Sequence, residues 1–247
     1  MDVTFGRQPG TPDEYTYEVG KGPTIGCGPN FHPKLQQALM AAAEKLEMGV
    51  HLDPLTRPAG TDAAACQAAA RICKADLETL IVFEFPELQG EMGRWYALRE
   101  GMEQSVADAI RDHYRPQGAD DSVPDQLVSA VVAVADRIDT LVGCFGIGLV
   151  PSGSADPFAL RRAALGILRI ALEGPLDVDL HALIAQAHSA YAGDADLKPA
   201  AELDAALDEF LRGRDRARLK DRHDADVVDA CLGAWDGTSV RDLRTRI

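Results

Sequence analysis

Three arginines punctuate one short stretch of this chain, Arg161, Arg162 and Arg169, within the run from Asp156 to Ile170. A guanidinium is a planar fork of donors that fits phosphate or carboxylate, so such a cluster points to anion binding or to ion pairs inside the fold. Arg94 is a further candidate of the same kind. Arg161 and Arg162 are adjacent, so on a helix they diverge by about 100° and only one easily faces a given partner. One of the two is expected to pair with an acid such as Asp136 or Asp139, and RNA contact is the other use. Solvated arginines on an ordinary amphipathic helix are the bland alternative. A second basic cluster comprises Arg212, Arg214, Arg216, Arg218, Lys220 and Arg222, interrupted by Asp215 and Asp221. Its every-second spacing is expected to scatter the charges around a helix, as solvated surface more than as an RNA patch.

Other reactive residue types lack a supporting arrangement. His181 and His188 share a helix face but have no acidic partner at matching spacing, so they read as surface or interhelix residues. Ser152, Ser154 and Ser189 have no His-Asp arrangement nearby to activate them. The glycine-rich link from Gly143 to Gly153 follows a helical pattern, not a strand, and lacks the lysine of a phosphate loop, so it reads as a flexible turn. The five cysteines, Cys27, Cys66, Cys73, Cys144 and Cys231, show no metal-ligand or redox spacing. Cys66 and Cys73 lie two helical turns apart, too far to bond within one helix. Reduced, buried thiols are expected.

The elements that must position these residues are mostly helices. Asp156 is placed to cap a helix whose first position is Pro157, with Phe158, Leu165 and Leu168 on one stripe. Upstream, Pro124 and Asp125 open a long helix carrying Leu127, Val131, Val134, Ile138, Leu141 and Val142 at spacings of three and four. Thr61 or Asp62 caps a helix expected to reach Phe83; a second starts at Pro86, and a third covers Met102–Tyr114. Pro116–Pro124 reads as a polar loop. Further helices are expected over Leu176–Tyr191, Pro199–Gly213 and Asp224–Leu232, with a short one at the end and a flexible joint at Gly193–Leu197. The first part of the chain is richer in Gly and Pro. It suggests extended pieces at Asp2–Phe5 and Tyr15–Val19, a helix from Asn30 or His32 to Met48, and a strand over Val50–Leu52.

Bulk numbers bound these readings. The chain has 247 residues, 46% of them hydrophobic but only 6% aromatic, so alanine, leucine and valine must fill the core. That composition favours packed helices. The formal charge of −14 opposes nonspecific binding of nucleic acid, so an RNA-binding role needs a local basic patch. No signal peptide and no apolar run long enough to span a membrane is seen, and a cytoplasmic location is expected.

Several strings resemble one family in order. Pro151-Ser-Gly-Ser-Ala-Asp-Pro-Phe-Ala-Leu-Arg-Arg162 is similar to the Gly-Ser-Lys-Asp-Pro-Phe-Ala-Leu-Arg-Arg signature of the glycyl-tRNA synthetase beta subunit, with Ala155 where that family usually has lysine. Glu84-Phe-Pro-Glu-Leu-Gln-Gly-Glu-Met-Gly-Arg-Trp-Tyr-Ala97, Asp112-His-Tyr-Arg-Pro116 and Ala135-Asp-Arg-Ile-Asp-Thr-Leu-Val-Gly143 resemble further blocks of it. His223–Ala230 echoes a later stretch. The resemblance covers residues 71–247 and implies the helical, HD-like middle of that subunit. It implies a mainly α fold: an HD-like helical bundle with a short α/β appendage at the N-terminus. By that resemblance the chain is part of glycine–tRNA ligase, an ATP-dependent enzyme whose chemistry sits on the alpha subunit. This chain would bind no cofactor itself, ATP being used by the parent enzyme. Its partners would be the alpha subunit and, weakly or indirectly, tRNA, with Arg94, Arg161 and Arg162 as the contact residues and no catalytic residue of its own.

Active HD phosphohydrolases gather His, a His-Asp doublet and Asp around a metal. Asp136 stands where the resemblance implies the last aspartate, and His113 is the one nearby histidine. No His-Asp doublet lies between Arg71 and Asp112, so no metal is expected, and His113 and Asp136 would be remnants. A stand-alone HD-type phosphohydrolase is the alternative function. Gly20–Lys34 and Gly60–Ala65 resemble metallo-aminopeptidases of the glutamyl-aminopeptidase and tetrahedral kind, over about residues 1–67. The aspartate expected before Gln8-Pro9-Gly10 is replaced by Arg7, and His32 with Asp62 cannot hold a two-metal site. The chain thus reads as a composite joined near Gln67–Arg71, and a nonfunctional fusion is a third possibility.

Overall fold

The computed structural model describes residues 3–7, 15–19, 24–27, 61–151, 156, 158–191, 197–221 and 223–247. The fold is mainly helical. The described residues fall into two compact units; one holds three short strands and Asp62–Tyr114, the other Arg115–Ile247. The boundary lies at Tyr114 and Arg115, inside the stretch expected to form one helical domain. The strands β1 (Val3–Arg7), β2 (Tyr15–Val19) and β3 (Thr24–Cys27) form an antiparallel sheet in that order, with Phe5 opposite Tyr17 and Tyr17 opposite Ile25. The extended pieces expected at Asp2–Phe5 and Tyr15–Val19 correspond to β1 and β2. The helix and strand expected over residues 30–52 lie outside the described residues.

In the first unit, Asp62 caps α1 (Ala63–Ile72), its Oδ1 accepting the Ala64 and Ala65 N–H groups at 2.9 and 3.1 Å. Small side chains let α1 lie close to α4: Ala65, Cys66, Ala69 and Ala70 are buried on the first, and Val106, Ala107, Ala109 and Ile110 on the second. The single helix expected up to Phe83 is instead three pieces, α1, a 3₁₀ turn over Ala75–Glu78 and α2 (Leu80–Glu84). Asp76 explains the break. Its buried Oδ2 accepts the N–H groups of Gly90 at 2.7 Å and Gly93 at 3.1 Å, tying the turn to the start of α3 (Glu91–Arg99). Thr79 accepts from Val82 N–H and restarts the helix as α2. Helix α4 (Gln104–Asp112) then packs across α3.

The second unit is built on α5 (Leu127–Gly146), with 14 of its 20 residues buried. Val131, Val134, Ile138, Leu141 and Val142 from the expected stripe are all in the core. Burying each such side chain contributes roughly 1.5–3 kcal/mol. Around α5 pack α6 (Leu160–Glu173), α7 (Leu180–Ala190) and α8 (Ala200–Lys220). Helices α9 (Ala225–Ala234) and α10 (Val240–Arg246) close the unit against α8 and α6. The expected turn from Gly143 is corrected in its first part: α5 continues through Gly143 to Gly146. Side chains press on both glycines, since a Cβ at 143 would meet the Tyr191 hydroxyl at 2.8 Å and one at 146 would meet Leu197 at 2.7 Å.

Helix α6 begins later than expected, at Leu160, with Ala159 in the left-handed region at φ 56°. Asp156 still serves the helix start from outside. Its carboxylate accepts Leu160 N–H at 2.8 Å and Arg161 N–H at 3.0 Å. Phe158 therefore sits before the helix and is 51% exposed, while Leu160, Ala164, Ile167, Leu168 and Ala171 make the buried stripe. Of the described cysteines, Cys66 and Cys73 are buried thiols, and Cys144 and Cys231 are half-buried.

Candidate anion-binding cleft

A cleft of about 830 Å³ opens in the second unit between α6, α8 and the loop at Pro116–Ala119. Its walls follow from helical spacing. Arg162, Leu165, Gly166, Arg169 and Glu173 recur at threes and fours along α6, and Arg214, Ala217, Arg218 and Asp221 do so at the end of α8. Four guanidinium groups therefore face two carboxylates in a chain whose overall charge is strongly negative.

The four arginines are not equivalent. Arg169 is committed to the fold: Nη2 lies 2.9 Å from Glu173 Oε2, while Nη1 donates to Gly118 O and Nη2 to Asp121 O, each at 2.9 Å. Arg218 leans on Glu173 at 3.5 Å and on the buried Asp215 at 3.4 Å. Burial pushes the Asp215 carboxyl up, and the Arg218 charge only partly offsets this. Arg214 lies over the Phe210 ring with its guanidinium carbon 4.8 Å from the centroid, and its buried Nε has no hydrogen-bond partner. Arg162 is exposed and forms no ion pair among the described residues. Two forks are thus held by the fold and two are left toward the cleft.

The loop that rims the cleft is pinned from behind. Arg137 on α5 is 8% exposed and donates to Ala133 O at 2.8 Å and to Pro116 O at 3.2 Å. Its side chain crosses directly over Gly166, where a Cβ would collide with Nε and sit 2.9 Å from Cδ. Burial lowers the Arg137 pKa to about 10, with Asp136 and Asp121 opposing the shift, so the group stays charged at neutral pH. Arg137 holds the start of the loop and Arg169 its middle. A lining of guanidinium, carboxylate and amide groups suits an anion, and among the described residues it offers no activated nucleophile.

The sequence-predicted residues are dispersed. Arg162 lines the cleft. Arg161, its neighbour, is half-buried, with its backbone N–H on Asp156. Arg94 is in the other unit and is tied to Asp108 at 2.6 Å. Burial raises the Asp108 carboxyl, but hydrogen bonds from Arg94 and Gln104 outweigh it and hold it below the usual carboxylate range. His113 belongs to the first unit, fully buried, with Nδ1 2.7 Å from Ile110 O and its ring 3.8 Å from that of Tyr114. Asp136 is half-buried on α5 in the second unit. Among the described residues no group of three or more His, Cys, Asp or Glu gathers as a metal site. Of the histidines of α7, His181 pairs with Asp204 of α8 at 2.9 Å, and His188 Nε2 meets the loop carbonyl Lys198 O at 3.0 Å.

Sequence reasoning missed Arg214 and Arg218. Expecting the basic run to scatter overlooked that residues four apart share a helix face. The run sorts into two faces. Arg214 and Arg218 line the cleft, while Arg212 pairs with Asp208, and Arg216 and Lys220 pair with Asp229.

Comparison with known proteins gives a family. Residues 34–233 match the glycyl-tRNA synthetase beta subunit family. The glycine–tRNA ligase beta subunit of Aromatoleum aromaticum is 51% identical over 172 residues, 69% of this chain and 24% of that protein. That of Geobacter sulfurreducens is 44% identical over 203 residues, 81% of this chain and 29% of that protein. That of Anaeromyxobacter sp. strain K is 44% identical over 219 residues, 88% of this chain and 31% of that protein. The synthetase likeness thus reaches upstream of the join expected at Gln67–Arg71. The chain spans about a quarter to a third of the length of the curated relatives it matches. No helix among the described residues is long and apolar enough to cross a membrane. With four-fifths of its length inside the matched span, the chain belongs to the glycyl-tRNA synthetase beta subunit family.

Proposed function

We propose that this chain is the HD-like helical portion of a glycine–tRNA ligase beta subunit, a cytoplasmic piece that holds tRNA and an alpha subunit and leaves the chemistry to the latter. ATP-dependent joining of glycine to tRNA belongs, in this reading, to the assembled enzyme. The observation that carries it is the family match over 200 residues, within which the signature helix α6 forms one wall of an arginine-lined cleft. His113 is committed to packing and a backbone carbonyl, which suits a remnant better than a metal ligand.

Two measurements test it. Mixed with an alpha subunit, ATP, glycine and tRNA, the chain alone is expected to give no charging above the alpha-subunit background. Robust aminoacylation refutes the division of labour. Immobilised alpha subunit or glycine-specific tRNA is expected to retain the chain at low salt. Failure of both to do so refutes the scaffold role.

A further inference from the structure

We infer that the cleft between α6 and α8 is a seat for one phosphodiester group of RNA, gripped between Arg162 and Arg214. The inference deepens the reading above and rests on it for the identity of the macromolecule. Three observations carry it.

The first is the sorting of the arginines. Arg169 has its forks on Glu173, Gly118 O and Asp121 O, and Arg218 leans on Glu173 and Asp215. Arg162 has no ion pair among the described residues, and the Arg214 guanidinium lies over the Phe210 ring. Stacking leaves a guanidinium edge open to accept an anion in plane. The second is the unmade hydrogen bond. Arg214 Nε is buried without a partner, a cost of about 1–3 kcal/mol in general that an arriving acceptor beside it relieves. The third is the build of the rim. Arg137 and Arg169 fix the loop at Pro116, Gly118 and Asp121 before any ligand arrives, so little ordering is needed on binding.

Charge selects the ligand class. Glu173 is already faced by Arg169 and Arg218, so the cleft offers two uncommitted positive charges with Asp221 nearby. That suits the single negative charge of a phosphodiester. A nucleoside triphosphate brings several charges and usually a metal, more than two forks neutralise. An acidic chain that must still hold RNA needs such a local positive feature, since its mean field repels phosphate.

The test uses the full chain and a fluorescent glycine-specific tRNA transcript, with affinity measured between about 50 and 200 mM salt. The double variant Arg162→Ala with Arg214→Ala is expected to bind at least tenfold more weakly at low salt, with the slope of log affinity against log salt reduced by about 1, the share of one phosphate. Arg214→Lys keeps the charge but loses the fork, and should fall between. Arg216→Ala, on the Asp229 side of α8, should leave the slope unchanged. Circular dichroism melts matching the native chain establish that the variants fold, and the exposed single variant Arg162→Ala, with weaker binding and a slope reduction of under about 1, covers the case in which the double variant does not. An unchanged slope and affinity in the folded variants overturns the cleft while leaving the subunit reading intact. ATP binding lost in the double variant, with tRNA binding untouched, overturns RNA as the source of the phosphate. If the native chain fails to bind tRNA at all, this inference and the tRNA-holding half of the reading above both fall.

Discussion

Replacing Gly166 by alanine sets two forces of opposite sign against each other. In a solvated helix interior, Ala is more favourable than Gly by about 1 kcal/mol. At residue 166 the new methyl collides with Arg137 Nε and lies 2.9 Å from its Cδ. Arg137 has little room to withdraw, because it is 8% exposed and its guanidinium is bonded to Ala133 O and Pro116 O. Breaking one hydrogen bond from a charged donor costs about 1.5–3 kcal/mol, and overpacking a filled site typically 1–3. These terms overlap, so after the helix gain a net loss of about 2 kcal/mol is expected. The chain has two tryptophans, Trp95 in the first unit and Trp235 in the second. In a Trp95→Phe background, urea unfolding followed by Trp235 fluorescence reports the second unit alone. Arg137→Ala supplies the control: with the crossing side chain gone, Gly166→Ala should stabilise by up to about 1 kcal/mol. A Gly166→Ala midpoint that is unchanged or raised in the native background would refute the claim that packing decides this position.

Further outcomes are expected elsewhere. His181 Nδ1 faces the Asp204 carboxylate and Nε2 faces Asp236 O, two acceptors that favour the protonated ring; the Asp204 bond, with Asp208 adding to it, raises its pKa above 6.5 and burial opposes this. The stabilisation is complete below the unfolded pKa and disappears as pH rises through the raised folded one, so His181→Gln should lower the Trp235-monitored midpoint at pH 5.5 and much less at pH 9, by under about 1 kcal/mol for a pair this exposed. In a Trp235→Phe background, Asp76→Ala should destabilise the first unit by about 2–3 kcal/mol by orphaning the Gly90 and Gly93 N–H groups, and Asp76→Asn by less, since its amide oxygen still accepts; equal losses would contradict that role. Asp62→Ala should cost about 1 kcal/mol in the same measurement through loss of the α1 cap, and no change would mean that tertiary packing alone sets that end.

Much of the fold was legible because apolar spacing at threes and fours is a local signal. The stripe Val131, Val134, Ile138, Leu141 and Val142 predicts both α5 and its buried face. The break after Ile72 was not legible, because its cause is long-range: the partners of Asp76 are 14 and 17 residues away. The start of α6 shows the same limit at short range. Asp156 was correctly read as a donor-capping residue, yet it acts across Ala159, whose left-handed backbone no residue preference announces.

The cleft shows why residue type alone could not single out a site. Arg94, Arg161, Arg162, Arg169, Arg214 and Arg218 are chemically identical in the sequence. What separates them is whether an acceptor already faces the fork: Asp108 for Arg94, Glu173 and two carbonyls for Arg169, a weaker hold by Glu173 and Asp215 for Arg218. A binding arginine is thus defined by a missing internal partner, and that is a property of packing. The alternating basic run carries a readable part of the answer. On a 3.6-residue turn, Arg212, Arg216 and Lys220 stay near one face while Arg214 and Arg218 stay near the opposite one. The acids Asp208 and Asp229 neutralise the first face and leave the second to the cleft. Placing an aspartate at Ala217, on the cleft face of α8, should therefore weaken tRNA binding as much as deleting one of the two arginines, without touching either. Binding at native strength in Ala217→Asp would show that the field at this face does not govern the contact.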